Sequence, residues 1–394
     1  MQTRRAFAGS IALGVGAISA GARCRDIGIT SGATLAALAA RTGRLYGCAA
    51  TTGELGNAEF VSLVKREAGI LVAEYEMKRH ALQPQPDTYN FASADTLLRF
   101  ANDDGMAFRG HTLVWHKANP SWLPNMLQSS RREAALIGYI QTVVGRYRRR
   151  IHSWDVLNEA LAPGDGRRDN LRETIWLKAF GPSYIAAAFH AARDADPHAL
   201  LVYNDWGCEA GAAWNDRFRA ATLDFLERAK AHNIPIDAYG MQGHLQAFGT
   251  PVDQRKLRDF LDRLKAIGLR ILVTEHDVDD GGGSSDEAVR DRAVADTSRR
   301  YLDVVLDNTA TTGVLTWGLS DRFVDPPGLK AELAWYSPRI LPYDSLFMRK
   351  PMWFAMADSF LRARPVLNAG LIPDKPPPVK PSSVPERLNS PTTF

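Results

Sequence analysis

Apolar positions along the chain gather into short runs separated by longer amphipathic stretches. LYGCAAT (from Leu45), GILVAEYEM (Gly69), AFRGHTLVW (Ala107), IHSWDVLNE (Ile151), ALLVYNDW (Ala199), AYGMQGHL (Ala238), RILVTEHDV (Arg270) and GVLTWGLSD (Gly313) are brief, apolar and partly β-branched. Runs of that kind, bounded by turn residues, predict eight buried strands. Between them, DTLLRFANDDG, YIAAAFHAARDADP, DRFRAATLDFLERAKAHN and DQRKLRDFLDRLKAIG carry apolar residues at helical spacing. Asn233 and Gly268 close the last two as C-cap signals. SSDEAVRDRAVADTSRRYLDVVLDN opens on a Ser/Asp cap and predicts a further long helix. Eight strands, each followed by a helix, predict a single α/β domain closed as a (β/α)₈ TIM barrel, with an open doubly wound sheet as the alternative.

The polar residues sharpen that expectation. They fall at the C-terminal ends of the strands: Glu74 and Lys78; His111, Trp115 and His116; Asn158 and Glu159; Asn204 and Asp205; Gln242 and His244; Glu275 and Asp277; Trp317 and Asp321. In a barrel those ends converge on one face, where active sites are built. A carboxylate at the end of an apolar strand is costly unless it is paired or opens on a cleft.

Glu159 and Glu275 end two different strands and can face each other across such a cleft. Two carboxyls flanking a scissile bond are what glycoside hydrolysis requires, and no cofactor is needed. Asn158 is placed to bond a sugar hydroxyl beside the reacting carbon. Trp115, Trp317, Trp122, Trp206 and Tyr203 offer flat faces for pyranose rings, or alternatively core packing. A catalytic metal is the competing use of His111, His116, His152, His244 and His276 with Asp205 and Asp277. No metal is expected, because His111 and His116 are five apart and point to opposite faces of a regular strand. The chain also lacks a G-x-S-x-G elbow and a P-loop.

With 394 residues, 45% hydrophobic and 23% charged, the composition is that of a globular protein with a large core. A net charge of +4 from 48 basic and 44 acidic residues is too small and dispersed to point to nucleic acid. The basic cluster RYRRR (Arg146 to Arg150) reads as the solvated C-terminus of a helix. Residues 1–22 begin with Arg4 and Arg5, continue through small apolar residues and end in Ala20-Gly21-Ala22. They predict a cleaved twin-arginine export signal and a periplasmic or secreted protein. Residues 23–370 form the predicted barrel, and 371–394 a proline-rich tail that cannot build a core. Cys24, Cys48 and Cys208 permit one disulfide without choosing it. No membrane partner is expected, and the chain is read as a monomer.

GHTLVWH, WDVLNE, YNDW, GMQGH, VTEHDV and TWGLSD, in that order, resemble glycoside hydrolase family 10, the endo-β-1,4-xylanases. The likeness spans Gly47 to about Leu361. It implies retaining double displacement on xylan or xylo-oligosaccharides, with Glu159 as acid/base and Glu275 as nucleophile. It further implies that His244 bonds the nucleophile and that Asp277 supports the histidine. Glu74, Lys78, His111, Trp115, His116, Asn158, Tyr203, Asn204, Gln242 and Trp317 are expected around the sugar. Residues two apart on a strand share a face, so Glu275 and Asp277 can both reach one imidazole while His276 turns away. Glu159 must start protonated, and the two carboxyls are expected about 5–5.5 Å apart, the retaining separation.

Four positions depart from the family's pattern, and the losses fall on substrate holding, not on the catalytic carboxylates. The family's Glu-Asn-x-Met-Lys-Trp reads Glu74-Tyr75-Glu76-Met77-Lys78-Arg79 here, so Tyr75 replaces a sugar-binding asparagine and Arg79 a tryptophan. In DRFVDPPG, Asp325 stands where a second tryptophan is usual, and His276 replaces a customary leucine. Cleavage of another β-1,4-glycan or an aryl glycoside, and a non-catalytic polysaccharide-binding barrel, are the alternative readings.

Overall fold

A computed structural model describes residues 32–324 and 336–366. The export segment 1–22, Cys24, Asp325 and the tail 371–394 lie outside them. Among the described residues nine strands are present: β1 (Leu45–Ala50), β2 (Ile70–Ala73), β3 (Ala107–Gly110), β4 (Ser153–Asn158), β5 (Leu200–Asp205), β6 (Ala238–Met241), β7 (His244–Gln246), β8 (Arg270–Asp279) and β9 (Thr311–Thr316). Each pairs in parallel with its neighbours, β6 pairs with β8, and β9 returns to β1. Eight strands therefore close a ring, and the short β7 lies outside it, paired only with the far half of β8.

All eight predicted runs form strands, but several stop early. β2 ends at Ala73 and β3 at Gly110, so Glu74–Lys78 and His111–His116 lie beyond the regular strands, although Val114 still bridges Leu157 of β4. β4 and β5 are buried along their whole length. That continuous burial is expected where helices cover the outside of a parallel sheet. Alternate residues Ala49, Ile70, Val72 and Leu315 pack together on the face that continues into Trp317.

The predicted helices fall at 92–103, 184–195, 213–231, 254–266 and 287–305. Asn233 and Gly268 both take positive φ just beyond their helices, as their C-cap reading requires. Asp286 caps the 287–305 helix by accepting from Ala288 and Val289 N–H. The RYRRR cluster follows the helix Tyr139–Arg146, where Arg146 pairs with Asp95. Cys48 and Cys208 are buried free thiols.

Two buried charges tie the first and last described segments to the barrel. Arg44, before β1, donates to the carbonyls of Thr311, Leu306 and Asn308 and to that of Arg364. Glu67 accepts from Leu35 N–H, the Trp353 indole and Arg349. No helix among the described residues is long and apolar enough to cross a membrane.

β1 runs so close to β2 that a Cβ on Gly47 would overlap the Ile70 carbonyl. Gly47→Ala is expected to lower unfolding stability by about 3 kcal/mol or more, because the obstacle is backbone and cannot rotate away. Gly56→Ala, with nothing within 4 Å of its Cβ, should change it by under about 0.5 kcal/mol. Denaturant midpoints of the two variants test the difference.

Candidate active site

β8 supplies the centre of the site. Glu275 and Asp277, two apart, point to the same side, and β7 pairs His244 directly opposite Asp277. His244 Nδ1 lies 2.9 Å from Asp277 Oδ1 and Nε2 3.3 Å from Glu275 Oε2. His276, between them, faces the helices: its Nδ1 donates to the Gly243 carbonyl and its Nε2 accepts from Ser298. Burial lowers this imidazole to about 4, which fits the neutral form that those two bonds need.

Glu275 is only 6% exposed. Asn204 Nδ2 donates to its Oε1 at 2.7 Å, and Asn204 is itself oriented by a hydrogen bond from the Thr274 hydroxyl. Burial alone would raise this carboxyl. The imidazoles of His244 and His111, with the Asn204 amide, outweigh burial and hold it down at about 2. Burial would likewise lower His244, but the carboxylates of Asp277 and Glu275 hold it well above the ordinary histidine value.

Glu159 follows the last residue of β4 and is 8% exposed. Its side chain has looser company: Gln242 Nε2 at 3.3 Å from Oε1 and His116 Nε2 at 3.9 Å from Oε2. Asn158 Oδ1 accepts from Asn204 and Gln242, which leaves its Nδ2 as the group's spare donor. The reversed amide would gain bonds with the Trp115 indole and the Asn204 carbonyl but set Nδ2 against the Asn204 Nδ2, which Glu275 and Thr274 hold in place. Two donors face to face disfavour it.

Lys78 Nζ lies over the rings of both Trp115 and Trp317, at 5.5 and 5.8 Å, and the His111 ring sits beside both indoles. Burial lowers Lys78, opposed by Glu74, Glu275 and Glu159. Burial also raises Glu74, opposed by Lys78. Tyr75 is half exposed and meets His80 edge to face.

Several expected positions need correction. Tyr203 is fully buried, bonded to Asp205 and packed on Phe225 among the outer helices. Strand alternation turns it away from the face that Asn204 occupies, so it cannot touch a sugar. Asn204 is also fully buried and serves Glu275 instead of substrate. Arg79 is no cleft residue: it is buried, bonded to the Ala135 carbonyl and Gln83, and stacked on Tyr139. His111 and His116 do not diverge as strand neighbours would, since β3 ends before both; one turns toward Glu275 and the other toward Glu159.

Asp155 and Arg109 were missed. Arg109 and His111 Nδ1 both bond the Asp155 carboxylate, with the His111 contact at 2.9 Å. The signal was available, as an arginine and an aspartate each interrupt an apolar strand and demand a partner. His111, Asp155 and Glu275 are close enough to share a cation. The guanidinium already on Asp155 disfavours one there.

A closed (β/α)₈ barrel that gathers two glutamates, an imidazole between carboxylates and a rim of indoles at its strand ends defines a barrel glycoside hydrolase. Residues 34–359 match the sequence model of glycosyl hydrolase family 10, and the chain belongs to that family. It is 31% identical over 304 residues to endo-1,4-beta-xylanase B of Thermotoga neapolitana, covering 76% of this chain and 83% of that one. It is also 31% identical to endo-1,4-beta-xylanase C of Paenibacillus barcinonensis, where 75% of this chain spans only 29% of a longer protein. Xylanase 10B of Thermotoga petrophila RKU-1, solved in complex with xylobiose, superposes with a TM-score of 0.73 at 29% identity over 83% of this chain and 97% of its own.

Asp205 lies buried beneath the site, accepting from Tyr203 and from Trp206 N–H. Burial raises its carboxyl to about 8, ahead of the lowering by those donors. A carboxyl raised in the folded state stabilises the fold fully below its unfolded value near 4, and that contribution disappears as pH climbs to about 8. Asp205→Asn, which cannot ionise, is therefore expected to flatten the fall in melting temperature between roughly pH 5 and 8. An unchanged slope would show that Asp205 is ionised throughout.

Proposed function

We propose that the protein is a retaining endo-acting glycoside hydrolase that cleaves internal β-1,4-xylosidic bonds of xylan, with Glu275 as nucleophile and Glu159 as acid/base. The observation that carries the reading is the contrast between the two carboxyls. Glu275 is buried yet held ionised by His244 and Asn204, the state a nucleophile needs. Glu159, by contrast, has only long side-chain contacts, to Gln242 and His116.

In the first half-reaction a Glu275 oxygen attacks the anomeric carbon while Glu159 protonates the departing glycosidic oxygen. In the second, Glu159 takes a proton from water as that water displaces Glu275. The spare Nδ2 of Asn158 is available to the sugar hydroxyl next to the reacting carbon, where such a bond strengthens in the transition state. Lys78, bracketed by Trp115 and Trp317, suits a ring that offers hydroxyls at its edge and an apolar face. The xylanase relatives and the neighbour holding xylobiose support xylan as the glycan.

Reducing-sugar release from soluble xylan tests the reading. Glu275→Gln is expected to lower turnover by roughly three orders of magnitude or more. The first product, followed by proton NMR, should carry the β anomer. An α product would sink the double displacement. Release from another β-1,4-glycan but not from xylan would reassign the substrate, and no release from any glycan would favour a binding barrel.

Tyr75 favours altered glycone-side binding, since it puts an exposed ring where the family carries an amide. Tyr75→Asn is expected to lower KM for xylo-oligosaccharides by about fivefold, the worth of one hydrogen bond, with kcat little changed. Identical kinetics and cleavage pattern would remove Tyr75 as a determinant.

A further inference from the structure

Glu159 has a backbone conformation unusual for its residue type. Its φ is +54°, in the left-handed region that side chains with a Cβ enter only when their surroundings over-determine them. Its side chain does not supply that constraint, because the nearest polar partners are the long contacts to Gln242 and His116. The carboxyl is therefore aimed by the main chain.

The main-chain groups that hold it trace largely to one residue. Arg172 Nε donates to the Glu159 carbonyl at 2.9 Å and Nη2 to the Leu161 carbonyl at 2.9 Å. The Arg172 N–H donates to the Ala160 carbonyl at 2.7 Å. Three consecutive carbonyls thus end on Arg172. The matching amides are taken from the other side: Glu159 N–H donates to the Asn204 carbonyl, and Leu161 N–H to Asp205 at 3.4 Å. Leu161 pairs with Leu171 in a two-residue antiparallel bridge, which presents the guanidinium to the turn.

We infer that Arg172 is a positioning residue for Glu159, its guanidinium fork fixing the left-handed turn that aims the carboxyl at the glycosidic oxygen. The inference rests on the reading of Glu159 as proton donor. A planar fork presents Nε and Nη2 to two carbonyls in one fixed geometry; a lysine ammonium has three donors but carries them on a flexible stem that fixes no orientation. Without the fork the Glu159 peptide can relax out of the left-handed region, which moves the carboxyl off its target while Glu275, held by Asn204 and His244, stays put.

That asymmetry gives a readout which general destabilisation would not produce. Xylan has a poor leaving group and needs its glycosidic oxygen protonated as the bond to the anomeric carbon breaks. A 2,4-dinitrophenyl β-xylobioside departs without a proton. In Arg172→Met, kcat/KM on xylan is expected to fall on the order of 10- to 100-fold, and on the dinitrophenyl substrate by less than about threefold. Azide, which attacks the glycosyl-enzyme without base assistance, should accelerate the variant on the activated substrate and not the parent.

Arg172→Lys should show the same divergence between substrates, and it carries the test should the methionine variant not fold. An equal fall on both substrates, or no fall, overturns the role of Arg172. Glu159→Ala run beside it separates the two readings. If Glu159→Ala itself shows neither leaving-group dependence nor azide rescue, Glu159 is not the proton donor. If it shows both and the Arg172 variants show neither, only the positioning role fails.

Discussion

A carboxylate held ionised at 6% exposure is the constraint that orders the catalytic face. Removing a charge from water costs several kcal/mol unless donors and opposite charge replace the solvent. Around Glu275 the replacements come from separate strands: Asn204 from the end of β5, His244 from β7 and His111 from the loop after β3. They in turn need support. Thr274 turns Asn204, Asp277 holds His244, and Asp155 holds His111. A closed ring brings these strand ends within reach of one oxygen pair, so barrel closure and the charge on Glu275 are one requirement seen at two scales.

β8 meets much of that requirement with three consecutive residues. Glu275 and Asp277 take the two nitrogens of His244, while His276 on the opposite face bonds the carbonyl of Gly243, the residue before that histidine. Glu209 accepts the Gly243 N–H at 3.1 Å. The segment carrying His244 is thus gripped at its backbone from one side of β8 and at its ring from the other. A leucine at 276 would fill the space but leave the Gly243 carbonyl and the Ser298 hydroxyl to find other partners.

The barrel was legible because buried parallel strands must be apolar and the covering helices amphipathic, and both signals are local. The site was legible where chemistry and strand parity agree, as at Glu275, His276 and Asp277. Legibility failed where a strand stopped early or a polar residue served another residue. β3 ends at Gly110, so parity says nothing about His111 and His116. Asn204 and Tyr203 sit at a strand end like ligands, yet one bonds the buried carboxylate and the other faces the helices. Arg79 looked like a lost cleft tryptophan because its motif neighbours are cleft residues. The short helix that begins there turns it inward against Tyr139. Each of these depends on partners remote in sequence, which no local pattern encodes.

The two catalytic-face glutamates are held by opposite strategies, and the roles proposed for them explain why. A group that must keep one protonation state tolerates strong, permanent side-chain partners, and Glu275 has them. A group that must cycle between acid and base cannot be locked by such bonds without penalising one of its states. Its aim has to come from elsewhere, and at Glu159 it comes from a backbone turn whose carbonyls end on Arg172 and whose amides end on Asn204 and Asp205. The same β5 end, Asn204-Asp205, supports Glu275 through a side chain and the Glu159 segment through its backbone amides. Small movements there would reach both glutamates at once, and both residues are fully buried.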